Sequence, residues 1–117
     1  MFLLRIFGGT TLEGPSGPLS GKAAQRRQLA LLASLAVARG KGLTRDKLIG
    51  LLWPDTREAR ARHHLSDALY VLRQVLRDDF VLTAGEALRL NPDAIRVDLW
   101  EFEAALDAGD LGAAVAL

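Results

Sequence analysis

One stretch of this 117-residue sequence gathers side chains capable of directed chemistry. Between residues 56 and 77, Arg57, Arg60, His63, His64, Asp67 and Gln74 recur mostly three or four positions apart, interleaved with leucines. Stepping about 100° per residue from Leu69 places Leu65, Leu72 and Leu76 within about 60° of it. The opposite face collects Thr56, Arg57, Arg60, His63, His64, Asp67 and Gln74, with Val71 among them. A helix with a leucine seam inward and these groups outward carries the donors and acceptors that base edges require. Arg bonds guanine bidentately, Gln reads adenine and Asp accepts from cytosine. For an isolated helix the plain alternative is a solvated polar face.

Other chemistries fit the same residues less well. His63 and Asp67 stand at i, i+4 and His64 and Asp67 at i, i+3, so either pair shares a helix face. Adjacent histidines diverge by about 100°, however, and the sequence has no third histidine to close a metal site. Ser66 sits beside them, but neighbours on one helix do not align nucleophile, base and orienter in series. Gly17-Pro-Leu-Ser-Gly-Lys-Ala resembles a phosphate-binding loop, yet Ser16 stands where that loop needs glycine and Ala23 supplies no hydroxyl. The expectation is a protein that is not an enzyme, with no metal and no cofactor.

The surrounding elements would position the helix. Residues 2–7 are β-prone, end at Gly8-Gly9, and are followed by a second short strand at Thr10–Glu13 and a turn cluster. From Lys22, with Ala24, Leu29, Leu32, Leu35 and Ala36 inward, the period turns helical until Gly40-Lys41-Gly42. Thr44 is a good N-cap for a short second helix carrying Leu48, Ile49 and Leu52 inward. Trp53-Pro54 stops that helix, because the residue before proline is pushed out of the α region. Asp55 or Thr56 can cap the long helix, which lasts to Arg77. A β-hairpin follows, from Phe80 to Leu90 around Ala84-Gly85-Glu86, with Arg89 on its second strand. Ile95–Val97 is a further short strand. Asp98 then reads as the N-cap of an amphipathic helix with Leu99, Phe102 and Leu106. Trp53 and Trp100 read as packing residues. A short helix and tight connector ahead of a long helix have the order of a helix-turn-helix.

Composition sets the class. Half the residues are hydrophobic and a quarter charged, an ordinary globular balance. Cysteine is absent, which suits a reducing compartment. No stretch is long and apolar enough for a signal peptide or a membrane span. A cytoplasmic protein with no membrane partner is expected. The net charge of +1 hides a strong asymmetry. Residues 21–77 hold twelve Lys or Arg against four acids, whereas residues 78–117 hold two against nine. The first segment suits an anionic polymer and the second repels it. Arg45, Lys47, Arg62, Arg73 and Arg89 are candidate contacts for phosphates or for a wing.

The chain also resembles a known family. The motifs are Leu4-Arg-Ile-Phe-Gly, Ala24-Gln-Arg-Arg-Gln-Leu-Ala-Leu-Leu, Leu43-Thr-Arg-Asp-Lys-Leu-Ile-Gly-Leu-Leu-Trp-Pro and Ala59-Arg-Ala-Arg-His-His-Leu-Ser-Asp-Ala-Leu-Tyr-Val-Leu-Arg. They resemble the SARP-type bacterial transcriptional regulators, whose DNA-binding domain has the OmpR-like winged helix-turn-helix fold. The resemblance implies an α+β domain over residues 1–97: an N-terminal antiparallel β-sheet, three helices and a C-terminal β-hairpin wing. Asp98-Leu-Trp-Glu-Phe-Glu-Ala-Ala-Leu matches the start of that family's bacterial transcriptional activator domain, which is helical and tetratricopeptide-like. Residues 98–117 would then open a second, truncated domain of a longer regulator.

The implied function is sequence-specific binding of double-stranded DNA at promoter direct repeats, as a dimer or as tandem monomers. A recognition helix at about 56–77 and a wing at about 80–90 would make the contacts, activation would run through RNA polymerase, and the missing C-terminal region would assist dimerisation. Two departures stand out: Val71 where related helices carry a basic residue, and Asp67 near the middle of the reading face. The alternative is a winged-helix protein-interaction module without specific DNA binding.

Overall fold

A computed structural model of the chain describes residues 1–21 and 25–116. The expected helix start at Lys22 and the inward Ala24 lie outside the described residues. Alternation builds the first sheet: β1 (Phe2–Arg5) pairs antiparallel with β2 (Thr11–Gly14), Leu4 opposite Leu12, and both leucines are buried. A two-residue strand, β3 (Gly17–Pro18), pairs antiparallel with β2.

Three helices follow: α1 (Arg26–Ala38), α2 (Arg45–Leu52) and α3 (Glu58–Leu76). A single 3-10 turn (Arg39–Lys41) and β4 (Leu43–Thr44) connect the first two. The Thr44 hydroxyl caps α2, accepting from the Lys47 N–H at 3.2 Å as its sequence position predicts. Neither Asp55 nor Thr56 caps α3; the residue before it is Arg57, in extended conformation and without a side-chain cap. At the other end Arg77 adopts φ 72°, which turns the chain out of the helix.

The hairpin is β5 (Val81–Ala84) and β6 (Ala87–Leu90), closed by Gly85-Glu86 with Gly85 at φ 63°. Its second strand also pairs with β4, so the hairpin belongs to a three-stranded sheet ordered β4-β6-β5. Then β7 (Ile95–Val97) returns to the first sheet and pairs parallel with β1, Leu4 opposite Val97. The N-terminal sheet is therefore mixed rather than antiparallel, in the order β3-β2-β1-β7. The reason is burial: Ile95 and Val97 must both face the core, and a strand arriving after three helices can meet the free edge of β1 in parallel.

Two helices complete the chain, α4 (Asp98–Asp107) and α5 (Leu111–Ala116). Asp98 does not cap α4. Its carboxylate is 3% exposed and accepts from the backbone N–H groups of Ile6 (2.8 Å) and Phe7 (3.1 Å), just past β1. Trp100 donates from its indole to the Ala36 carbonyl on α1 at 2.8 Å, and Phe7 meets Phe102 edge-on. Leu106, expected inward, is exposed. One core joins both sheets and the first three helices, from Leu4 and Leu12 through Leu31, Leu48 and Leu65 to Phe80, Leu88 and Val97. Each such side chain contributes roughly 1.5–3 kcal/mol by leaving water.

Gly42 sits where the turn after α1 enters β4. Its φ is 67°, and a Cβ there would collide with the Leu88 carbonyl oxygen on β6. Gly42→Ala combines left-handed strain with a backbone clash, and should cost at least about 2 kcal/mol. Urea denaturation would show this as a lowered midpoint at an unchanged slope.

Candidate nucleic-acid interface

Helix α3 runs for nineteen residues, roughly 28 Å. Its buried side is Ala61, Leu65, Ala68, Leu69, Leu72 and Leu76. The two alanines shift the centre of that side about 50° from Leu69, so the outward centre moves by the same angle. Three rows result. The middle holds His63, Asp67, Tyr70 and Gln74, all exposed, with Tyr70 63% accessible. One flank, toward the end of α2, holds Arg60, His64 and Val71. The other, toward the hairpin, holds Arg62, Ser66 and Arg73.

The sequence-derived reading residues are distributed over these rows. His63 pairs with Asp67 at 3.3 Å, one turn along the helix. His64 is half-buried and stacks on the indole of Trp53, ring centroids 5.8 Å apart and planes 25° apart. Arg57 precedes the helix; Arg60 and Gln74 are exposed.

The hairpin flank is shaped by ion pairs. Arg62 donates to Glu58 at 3.0 Å and bridges to Asp46 on α2. The hydrogen bond that it donates to Glu58 and the charge of Asp46 push its guanidinium above the usual arginine value. Arg62 thus ties the start of α2 to the first turns of α3, and its charge is partly neutralised by the two carboxylates. A cleft of about 480 Å³ opens between these residues and the hairpin tip, where Thr83, Gly85 and Glu86 line it. A smaller hollow of about 260 Å³ continues along α3 between Arg45, Ser66 and Arg73. Lys47 is exposed on α2. Arg89 is half-buried opposite Leu82 within the hairpin, away from its tip.

The sequence reading does not include Tyr70 in the outer face, and it weighs Ser66 only as a nucleophile. The missed signal was the pair of alanines at 61 and 68, seven apart and in register with Leu65, Leu69 and Leu72. Small residues at helical spacing mark where a helix backbone approaches its neighbours, and counting them as core rotates the outer face onto Tyr70.

The fold is similar to that of Mycobacterium tuberculosis EmbR in its solved complex with a low affinity phosphopeptide. The TM-score is 0.71 at 23% identity, covering 97% of this chain and 33% of that one. This chain spans about a third of the length of that neighbour. No protein-family model matches the chain, and no curated protein matches it. Among the described residues, no helix is long and apolar enough to cross a membrane.

The rotated face has a direct consequence for stability. Ala68→Leu should overpack the contact and cost about 1–3 kcal/mol. Tyr70→Ala should change stability by no more than about 0.5 kcal/mol. Thermal unfolding of both variants followed by circular dichroism would check the pair.

Proposed function

We propose that this chain is the sequence-specific, double-stranded-DNA-binding part of a bacterial transcriptional regulator of the SARP type. In this reading α3 enters the major groove, and the hairpin acts as a wing along the neighbouring backbone. The observation that carries it is the outer face of α3, where Arg60, His63, Asp67, Tyr70 and Gln74 all stand free of the core on one rigid helix. Arg45, Lys47 and Arg73 flank that face as phosphate contacts. The likeness of fold to EmbR agrees with a SARP-like winged-helix arrangement. Residues 98–117, of which Asp98 and Trp100 bond to the backbone after β1 and to α1, would begin the activator domain of a longer protein. Binding at direct repeats and contact with RNA polymerase belong to the same proposal, as does its cytoplasmic setting.

A second reading has its own observation. Val37 and Leu51 are 66% and 61% exposed and line a shallow apolar groove with Ala33 and Leu43, between α1 and α2 and off the α3 face. Such a patch suits a protein contact. A regulator can use both surfaces, whereas an interaction module would need this one alone.

The test is selection from a random duplex pool, then fluorescence anisotropy with the selected and scrambled duplexes across a salt series. A short selected sequence is expected, with affinity falling on the order of 100-fold between roughly 50 and 200 mM salt, as for about four phosphate contacts. Arg60→Ala should weaken the selected duplex more than the scrambled one. Absence of binding at the lowest salt would sink the reading in favour of the interaction module. A separate variant, Asp46→Asn, removes one of the two carboxylates held by Arg62. It should raise affinity for selected and scrambled duplexes alike and steepen the salt dependence, measured in the same titrations.

A further inference from the structure

Tyr70 is the large apolar surface at the centre of the α3 face. Asp67 and Arg73 stand three residues away and Ser66 and Gln74 four away, so polar groups surround its ring on the helix surface. Val75, also exposed, lies about 140° round the helix and faces elsewhere. The ring is neither packed into the core nor stacked on another ring among the described aromatic contacts. Its side chain is therefore an apolar contact surface set among hydrogen-bonding groups.

We propose that Tyr70 selects thymine at one position of the DNA site by packing its ring on the thymine 5-methyl group. This rests on the DNA-binding reading and adds a specific base to it. The chemistry of the groove makes the choice. Base faces are stacked inside a duplex, so a side chain carried by a helix in the major groove meets base edges. Those edges present nitrogen and oxygen donors and acceptors, and one substantial apolar group, the methyl of thymine. Arginine, glutamine, histidine and aspartate can each satisfy a polar edge. The exposed aromatic ring matches the methyl, and packing the two together removes apolar surface of both from water. A polar edge would gain no such term, and a cytosine at that place would leave the ring against a C–H and an amino group.

The magnitude is modest and measurable. Burying one methyl corresponds to about a fourfold change in affinity. The discriminating reagent is the selected duplex with deoxyuridine in place of each thymine in turn, which deletes the methyl and leaves Watson–Crick pairing intact. Wild-type protein should lose about fourfold at one thymine position. Tyr70→Phe keeps the ring and should show the same loss there. Tyr70→Ala should bind the thymine duplex more weakly and no longer distinguish it from the deoxyuridine duplex at that position. Circular dichroism would confirm that both variants stay folded.

The proposal is overturned if the deoxyuridine penalty persists in Tyr70→Ala, since the methyl is then read by another residue. It is equally overturned if the wild type shows no penalty at any thymine, or if the selected site contains no thymine. A discrimination lost in Tyr70→Phe would assign the effect to the hydroxyl and overturn it as well. In all these outcomes specific binding survives, whereas failure of the DNA-binding reading appears as no selected sequence at all.

Discussion

Trp53 is where the first three helices meet. The Arg27 guanidinium, from α1, lies over its ring at 5.4 Å and donates to the Leu52 carbonyl at the end of α2. His64, from α3, stacks on the same indole. Pro54 prevents α2 from running on, so the chain must turn at this point. A single buried aromatic thus meets one group from each neighbouring helix, and cation–π attraction and apolar burial reinforce each other there. If the corner loosened, α3 could roll about its axis. The face it shows to solvent, and hence every contact inferred above, depends on that angle.

This arrangement gives His64 two claims on its imidazole. Its position on the outer half of the helix wheel suits base contact, while its stacking on Trp53 fixes the ring against α2. A side chain held this way contributes a pre-set orientation rather than a free donor. Arg62 is constrained in a similar manner by Glu58 and Asp46. Charge counted along the sequence therefore overstates charge available at the surface. The segment 21–77 is strongly basic, but two of its four acids are spent on one arginine, and the hairpin tip carries Glu86. The resulting surface holds separate cations, in Arg45, Lys47, Arg60 and Arg73, around a face of mixed polarity. In the proposed DNA-binding role, that pattern would favour discrimination between sequences over indiscriminate phosphate binding.

Much of the fold was legible in the sequence because strong local signals agreed with the tertiary structure. Thr44, the Trp53-Pro54 stop, the leucine seam of α3 and the turn at Gly85 each have a mechanism that works within a few residues. The errors came from partners distant in sequence. Ile95–Val97 reads as a strand, but its parallel pairing with β1 depends on an edge more than ninety residues earlier. Asp98 has the type and position of an N-cap, yet its carboxylate serves backbone donors beyond β1. The centre of the α3 buried side shifts for a related reason. Leucines identify a buried side by hydrophobicity, whereas Ala61 and Ala68 reveal it only through the closeness of what packs on them.

The charge balance turns acidic after residue 77, and residues 98–117 hold five acids and no Lys or Arg, which reads as a separate unit beginning at 98. The contacts across that point have a different character. Asp98 is held by the end of β1, Trp100 by a carbonyl of α1, and Glu103 by an ion pair to Arg39, which itself sits at φ 56° after α1. An exposed ion pair contributes little. A buried carboxylate satisfying two backbone N–H groups contributes far more, because removing it leaves both donors unpaired away from water. Helix α4 is thus anchored to the same strand and helix that support the back of the α3 platform. A displacement of α4 would have to break those hydrogen bonds or carry β1 and α1 with it.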